Sequence, residues 1–270
     1  MPNERRMFIL KALVLWAAAL VGVVLVMPYT MALAPGRLEA AAADLGIPIA
    51  AVIALSLLQS AILLGGMVVL GLWAARRVGL EVPLLETWLD RQPPPRDAVR
   101  NAGCAAGLGA ACGLAIVMLD TTLFAAVGES LRGVVPSPPR AWQGLLASVY
   151  GGVTEEVQLR LFLFSLLALG ASWLRRRFRA QPGAELTPTI FWIVNAVVAL
   201  VFGLAHLPVM AELVALTPLV VARSILLNGL VGLAAGFLYY RRGLEMAMLC
   251  HFSADVVLHV VVPLAGGPGA

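Results

Sequence analysis

The chain has 270 residues, of which 61% are hydrophobic and 13% are charged, and its formal net charge is +4. Soluble domains average about 45–50% apolar and about 25% charged residues, so this composition excludes an ordinary soluble protein and indicates one whose partner is the lipid bilayer. The small positive charge, without interleaved aromatic and basic residues, predicts no nucleic-acid partner.

Seven apolar runs follow one another, each long enough to approach the about 20 residues that a helix needs to cross a bilayer. They lie near residues 8–27, 48–75, 102–127, 142–172, 188–207, 219–240 and 244–263. The sequence therefore predicts an all-α fold, a polytopic transmembrane helix bundle of about seven spans. The first run follows basic residues as a signal sequence does, but Pro35 directly after Ala34 should block cleavage, so we expect an uncleaved first helix.

Glycines four residues apart occur within several runs, a spacing that lets helices approach closely in lipid. The pairs are Gly103 and Gly107, Gly109 and Gly113, and Gly232 and Gly236. We expect them to serve helix packing.

Arginine and lysine residues are unevenly divided between the two predicted sides of the membrane, fourteen against three, with Arg160 and Arg223 inside spans. The richer side, which includes the N-terminus, is expected to be cytoplasmic. The cluster from Arg175 to Arg179 is expected to touch anionic lipid there. Together with the Arg-, Ala- and Gly-rich composition, this predicts a multi-pass protein of a bacterial cytoplasmic membrane.

The fourth span contains two adjacent acids and an arginine within the apolar run GGVTEEVQLRLFLFSLLALG. Ionisable residues are costly in a bilayer and usually functional. On an α-helix Glu156 and Arg160 share a face in the favourable order, whereas Glu155 is turned about 100° away. We therefore expect Glu156 to be held by Arg160 and Glu155 to be free for a proton or a water. The alternative is an ion-pair network that only fixes helix packing.

Two later spans contribute histidines at helical spacing from a second motif residue. Phe202 and His206 are four apart on the fifth span, and His251 and Asp255 are four apart on the seventh. A carboxylate beside a histidine can orient the ring and select its tautomer. Charged and polar groups on three spans are costly in lipid unless they interact with one another. Their occurrence together indicates catalysis within the membrane. His259, two turns beyond His251, is expected at the membrane interface instead.

These motifs resemble, in their order, those of the CPBP intramembrane proteases, the superfamily of CAAX prenyl endopeptidases and bacteriocin-processing enzymes. The motifs are EExxxR at 155–160, FxxxH at 202–206 and HxxxD at 251–255. The resemblance covers roughly residues 142–260 and is to enzymes like the type II CAAX endopeptidases. We accordingly divide the chain into about three N-terminal membrane helices (1–140), a catalytic CPBP-like helical core (141–263) and a short tail (264–270).

The resemblance implies a catalytic set on the three motifs: Glu155, Glu156, Arg160, His206, His251 and Asp255. In it Glu155 would be the base that activates a water, with Glu156 as its helper paired to Arg160. His206 and His251 would bind the water and the oxyanion, or a metal. Asp255 stands where many relatives have Asn, so orientation of His251 is the role expected of it.

A cofactor is the least determined part of this prediction. Glu155, His206 and His251 have the residue types of a two-His, one-carboxylate zinc site with one position left for water. No HExxH motif is present. A glutamate-activated water without a required metal fits the residues equally well, and we prefer that metal-independent mechanism slightly over zinc.

The predicted function is therefore a membrane-embedded endopeptidase, a hydrolase of glutamate or metallo type, acting on a peptide or membrane-protein substrate. A prenylated CAAX tail, a leader peptide and a membrane-anchored regulator all remain open as substrates. The first alternative is a non-catalytic membrane protein of the same fold, such as a bacteriocin self-immunity factor or a scaffold. The second is a proton-coupled transporter, against which we find no internal repeat.

Overall fold

The computed structural model describes residues 2–131, 133–134, 138–179 and 186–266, which contain helices and no strand. Seven helices in these residues are long and apolar enough to cross a membrane: Glu4–Leu33, Ile49–Val78, Ala98–Thr122, Ala141–Phe178, Pro188–Leu213, Pro218–Arg242 and Leu244–Leu264. The predicted all-α polytopic bundle of about seven spans is confirmed. Arg132, one of the three basic residues counted on the poorer side, and most of the 264–270 tail lie outside the described residues.

The helical elements before the fourth span are α1 (Pro2–Leu33), α2 (Arg37–Leu45), α3 (Ile49–Val78), α4 (Pro83–Leu89), α5 (Ala98–Thr122) and α6 (Ala125–Leu131). The fourth span contains α7 (Ala141–Val149), π1 (Tyr150–Glu155), π2 (Val157–Phe164) and α8 (Ser165–Arg179). The remaining elements are α9 (Pro188–Ala205), α10 (Leu207–Leu213), α11 (Pro218–Arg242), α12 (Leu244–Val256), π3 (Val257–Val261) and α13 (Val262–Leu264). The labels π1 to π3 mark π-helical winding.

Two of the spans that form the site begin with the same Thr-Pro signal. Thr187 precedes Pro188 at the start of α9, and its hydroxyl accepts a hydrogen bond from a backbone N–H in the first turn. Thr217 does the same for α11, which begins at Pro218. Threonine caps the free N–H groups, and proline at the first position has a helical φ without needing a partner. The sequence therefore determines where both spans begin.

Helix packing joins the N-terminal spans to the later ones. α1 and α3 lie along the fourth span, and α5 lies along α12. One cluster of buried side chains combines Leu15 and Leu64 from the first two spans with Val157 and Leu161 from the fourth. The division at residue 140 stays a prediction, and the two parts share this core.

The glycine pairs differ in what they do. A Cβ at Gly109 would lie 2.0 Å from the Cys250 carbonyl oxygen, and one at Gly236 would lie 1.9 Å from Asn195 Oδ1. These positions permit close helix approach, as the spacing predicts. Gly103 and Gly107 are exposed, and no neighbouring atom lies within 4 Å of a Cβ built there. The packing prediction is therefore wrong for that pair, because its face of α5 is turned away from the bundle.

Candidate active site

The two acids of the fourth span lie where its two π-helical segments meet. π1 ends at Glu155, Glu156 follows, and π2 begins at Val157. π-helical turns are rare and frequently mark functional sites. Their i→i+5 bonds give more residues per turn, so neighbouring side chains diverge by less than the about 100° of an α-helix. The wider winding explains how adjacent acids reach one histidine ring.

That ring is His251, on α12. Its Nδ1 donates to Glu156 Oε1 at 2.7 Å. Its Nε2 lies 3.7 Å from Glu155 Oε2, beyond hydrogen-bond distance but close enough for charge interaction. The side chain of His251 is only 4% exposed. Glu155 and Glu156 therefore face opposite nitrogens of the same buried imidazole.

Glu156 is the acid of the two that is bound by neighbouring side chains. Its side chain is fully buried, as is that of Arg160, whose NH1 lies 2.8 Å from Glu156 Oε1. The structure thus brings together the two residues that the spacing pairs. The same Oε1 accepts the hydrogen bond from His251, so one oxygen serves both neighbours. The other oxygen, Oε2, is buried and has no hydrogen-bond partner among the described residues, so Glu156 is held through Oε1 alone.

Arg160 contacts two further helices of the bundle directly and a third through Glu156. Its NH2 donates to the Gly232 carbonyl on α11 at 2.8 Å, and its Cζ lies 5.4 Å from the centre of the Phe202 ring on α9. Through Glu156 it also reaches His251 on α12. The sequence indicated Gly232 only as a packing residue. A sequence pattern does not show which backbone carbonyl accepts a hydrogen bond from an arginine. Arg160 therefore holds the helices of the site in register.

His206 is connected to the site by Phe202. It lies at the break between α9 and α10, and its Nδ1 donates to the Phe202 carbonyl at 2.9 Å. The Phe202 ring contacts His206 and His251 edge-on, at centroid distances of 4.8 and 5.3 Å. Within the described residues no hydrogen bond or ion pair joins His206 to an acid. The Phe202 ring is therefore in contact with both imidazoles, a role that the sequence motif alone did not indicate.

Asp255 lies on the same side of His251 as Glu155. Its Oδ1 is 3.7 Å from His251 Nε2, so it makes no hydrogen bond to the ring. Glu156 makes the orienting hydrogen bond that the sequence assigned to Asp255, whose role stays a prediction. A Cβ at Gly151 would lie 2.1 Å from Asp255 Oδ2. Only glycine at that position leaves room for the carboxylate.

Close helix contacts hold the acid-bearing segment on two sides. A Cβ at Gly152 would lie 2.7 Å from Phe252 Cβ, so π1 and α12 are almost in backbone contact. On the other side, Thr154 donates to the Ala19 carbonyl of α1 at 2.8 Å. A Cβ at Gly22 would lie 2.2 Å from the Thr154 hydroxyl. The residue before Glu155 is therefore anchored to the first span.

The third histidine has a partner that sequence patterns did not indicate. The Tyr29 hydroxyl of α1 lies 3.3 Å from His259 Nδ1, and the two rings meet edge-on at 5.3 Å. The His259 side chain is half-buried. Tyr29 lies in an apolar run with no motif around it, so only the three-dimensional structure could identify this contact.

The predicted metal ligands are not grouped as a ready-made site. Among the described residues, no three His, Cys, Asp or Glu side chains are arranged to hold a metal ion. The zinc site of Glu155, His206 and His251 has no geometric support here and stays a prediction. The Nδ1 atoms of both histidines are occupied by protein acceptors, so only the Nε2 atoms remain for a water, a substrate or a metal.

Comparison with known proteins agrees with the motifs. Residues 137–257 match the family model described as type II CAAX prenyl endopeptidase Rce1-like. No curated protein and no solved structure matches the chain. The matched segment contains all six predicted site residues, and together with the seven apolar helices it supports a multi-pass membrane endopeptidase. Residues 137–257 therefore form an Rce1-like type II CAAX prenyl endopeptidase domain, as the resemblance of the motifs predicted.

Proposed function

We propose that this chain is a membrane-embedded endopeptidase in which Glu155 activates a water molecule to hydrolyse a peptide bond. The observation that supports this proposal is the difference between the two adjacent acids. Glu156 is fully buried and shared between Arg160 and His251, whereas the Glu155 side chain is 20% exposed. A carboxylate already bound to an arginine and a histidine is a poor proton acceptor. The base is therefore Glu155, which makes neither contact at hydrogen-bond distance.

The reaction follows general acid–base chemistry. Glu155 takes a proton from the water as its oxygen attacks the peptide carbonyl carbon, whose own oxygen becomes negative. Collapse of that tetrahedral intermediate breaks the C–N bond, and Glu155 returns the proton to the departing amine. The products are a carboxylic acid and an amine, which ionise to a carboxylate and an ammonium group, and Glu155 is regenerated as a carboxylate. Such proton transfer contributes about 10²–10⁴-fold to the rate.

The histidines orient the reacting oxygens. Because Nδ1 of His251 donates to Glu156, its Nε2 is the nitrogen that faces Glu155. In a neutral ring Nε2 accepts a hydrogen bond from the attacking water, and with a second proton it donates one to the oxyanion. His206 has the same tautomer through its bond to the Phe202 carbonyl, so its Nε2 is also available. Arg160 and Glu156 act as positioning residues for this pair.

The principal test is the conservative variant Glu155→Gln. It removes the proton acceptor and keeps the shape, so turnover should fall by about 10²–10⁴-fold. The melting temperature in detergent should stay near that of the wild type, because Glu155 is not bonded to the core. Membrane peptides that accumulate in cells carrying this variant, and not in wild-type cells, would be substrates. Unfolding of the variant without an accumulated peptide would contradict the proposal and favour a structural ion-pair network.

The histidines provide an internal control. His206→Ala and His251→Ala should each eliminate cleavage of the accumulated substrate. His259→Ala should retain it, because that ring bonds to Tyr29 and not to the acids. Equal tolerance of all three substitutions would remove the catalytic assignment.

Metal dependence is tested on the same purified enzyme. With Glu155 as the sole activator, elemental analysis should find well below one zinc per chain, and activity should persist in a strong chelator. Stoichiometric metal in active enzyme would overturn the metal-independent mechanism. Elemental analysis decides, since slow exchange from a buried site can hide a metal from the chelator.

A further inference from the structure

A groove of about 570 Å³ opens between α3 and α8, and its lining includes none of the six predicted site residues. Four large side chains dominate it: Trp73 and Arg77 from α3, and Trp173 and Arg176 from α8. Leu166 and Leu169 supply an apolar lining beside them. The groove therefore combines two cations with an extended apolar surface.

Both arginines of the groove are anchored without being neutralised. The Arg77 guanidinium lies 4.0 Å from the centre of the Trp73 ring, and its NH1 donates to the Trp73 carbonyl at 2.9 Å. Arg176 donates through Nε to the Ser172 carbonyl at 3.4 Å. Within the described part of the chain, neither forms an ion pair with a carboxylate. The remaining N–H groups of the two guanidiniums are therefore available to bind an anion.

Both arginines of the groove lie at the ends of spans, where phospholipid headgroups are expected. Arg77 is in the last turn of the span Ile49–Val78, and Arg176 is in the last turn of the span Ala141–Phe178. Tryptophan is enriched at this boundary, where one side of the ring is apolar and the other is wet. The arginine bias predicts this end to be cytoplasmic, and basic pockets between spans on that side suit anionic headgroups.

We propose that this groove binds the phosphodiester headgroup of an anionic phospholipid, beyond the peptidase function proposed above. The two guanidiniums match the phosphate, since arginine presents paired N–H donors to phosphate oxygens. The two tryptophans and the leucines match the upper part of the acyl chains. A free phosphate would leave that apolar half of the groove unfilled, so charge and apolar surface together select a lipid.

The test is native mass spectrometry of the full chain in detergent, titrated with phosphatidylglycerol or phosphatidylcholine of identical acyl chains. We expect a saturable phosphatidylglycerol adduct that phosphatidylcholine does not reproduce. Arg77→Gln with Arg176→Gln should weaken it on the order of thirtyfold, from about fivefold for each basic residue near an anionic lipid surface. The matched control is Arg241→Gln with Arg242→Gln, two exposed arginines that end the span Pro218–Arg242 and lie outside the groove. This control should keep the adduct.

Three outcomes would overturn the proposal. They are equal binding of both lipids, equal loss in the groove and control variants, and displacement of the adduct by excess inorganic phosphate, which would indicate a free-anion site. The substitutions lie on side chains at the membrane boundary, so folding is expected to survive, and circular dichroism checks it. If the double variant does not fold, Arg176→Gln alone must still lower the affinity on the order of fivefold.

Discussion

Arg223–Asp120 and Arg160–Glu156 are arginine–carboxylate pairs in the described spans of this protein, and they are built differently. Arg223 on α11 binds Asp120 on α5 through two parallel contacts, Nε to Oδ1 at 2.6 Å and NH2 to Oδ2 at 2.8 Å. Both side chains are partly exposed, at 19% and 28%. Arg160 and Glu156 meet through one contact at 2.8 Å and are completely buried. The partly exposed pair, Arg223 and Asp120, therefore has the better hydrogen-bonding geometry.

The difference shows what each pair is for. Asp120 and Arg223 satisfy one another, which is what a contact between two helices requires. Glu156 and Arg160 divide their bonds among His251, the Gly232 carbonyl and each other. Burial makes a charge pair costly, and incomplete pairing makes it more so. The buried pair also orients His251, as the proposed catalytic role of this cluster requires.

The largest expected effect comes from breaking the buried pair. Arg160→Ala leaves the Glu156 charge buried without compensation, which should lower the free energy of unfolding by about 3–5 kcal/mol. Cleavage should be lost as well, because Glu156, which orients His251, is no longer held by Arg160. Thermal unfolding in detergent and cleavage of the accumulated substrate measure the two effects. A loss no greater than that of the corresponding Arg223 variant would erase the contrast between the pairs.

Breaking the exposed pair should have a smaller and purely structural effect. Arg223→Ala removes two charge-assisted hydrogen bonds that are partly screened by solvent, so we expect a loss on the order of 1–2 kcal/mol in stability. Turnover per folded molecule should not change, because neither residue contacts the six site residues. The same two measurements apply, and a selective loss of turnover would show that this pair also takes part in the reaction.

The smallest effect is expected for Asp255→Asn. Asp255 is an acid of the same cluster without an arginine partner among the described contacts, so this variant extends the comparison of the two pairs. Asp255 lies 3.7 Å from His251 Nε2, and Glu156 already orients the ring. Loss of its charge should therefore change turnover by no more than about tenfold, the lower limit for residues that act through a histidine. Steady-state cleavage by the variant and the wild type gives this ratio. Complete loss of turnover would assign Asp255 a direct part in the chemistry.

Much of this architecture follows from local sequence signals. Apolar run length predicts the seven spans, and a four-residue spacing predicts the Glu156–Arg160 pair. The Thr-Pro starts of α9 and α11 are similarly local. These features depend on the periodicity and on the chemistry of neighbouring residues, which a single sequence displays directly.

The parts that escaped prediction depend on contacts between distant segments. The approach of Glu155 and Glu156 to one ring needs π winding, which has no composition signal comparable to that of an α-helix. The acceptor for Arg160 is a backbone carbonyl, and every residue has one. Phe202 contacts the rings of both His206, at the break in the fifth span, and His251 on another span, and no local signal predicts that meeting.

The hydrogen bond from Thr154 to the Ala19 carbonyl has a consequence for how the protein is made. Its two partners are 135 residues apart, so the first span enters the membrane long before the segment that completes the contact. A fragment limited to residues 137–257 would leave the Thr154 hydroxyl without its acceptor. It would also expose Val157 and Leu161, both fully buried in the whole chain. The smallest unit for expression therefore begins with the first span, well before the family-matched segment.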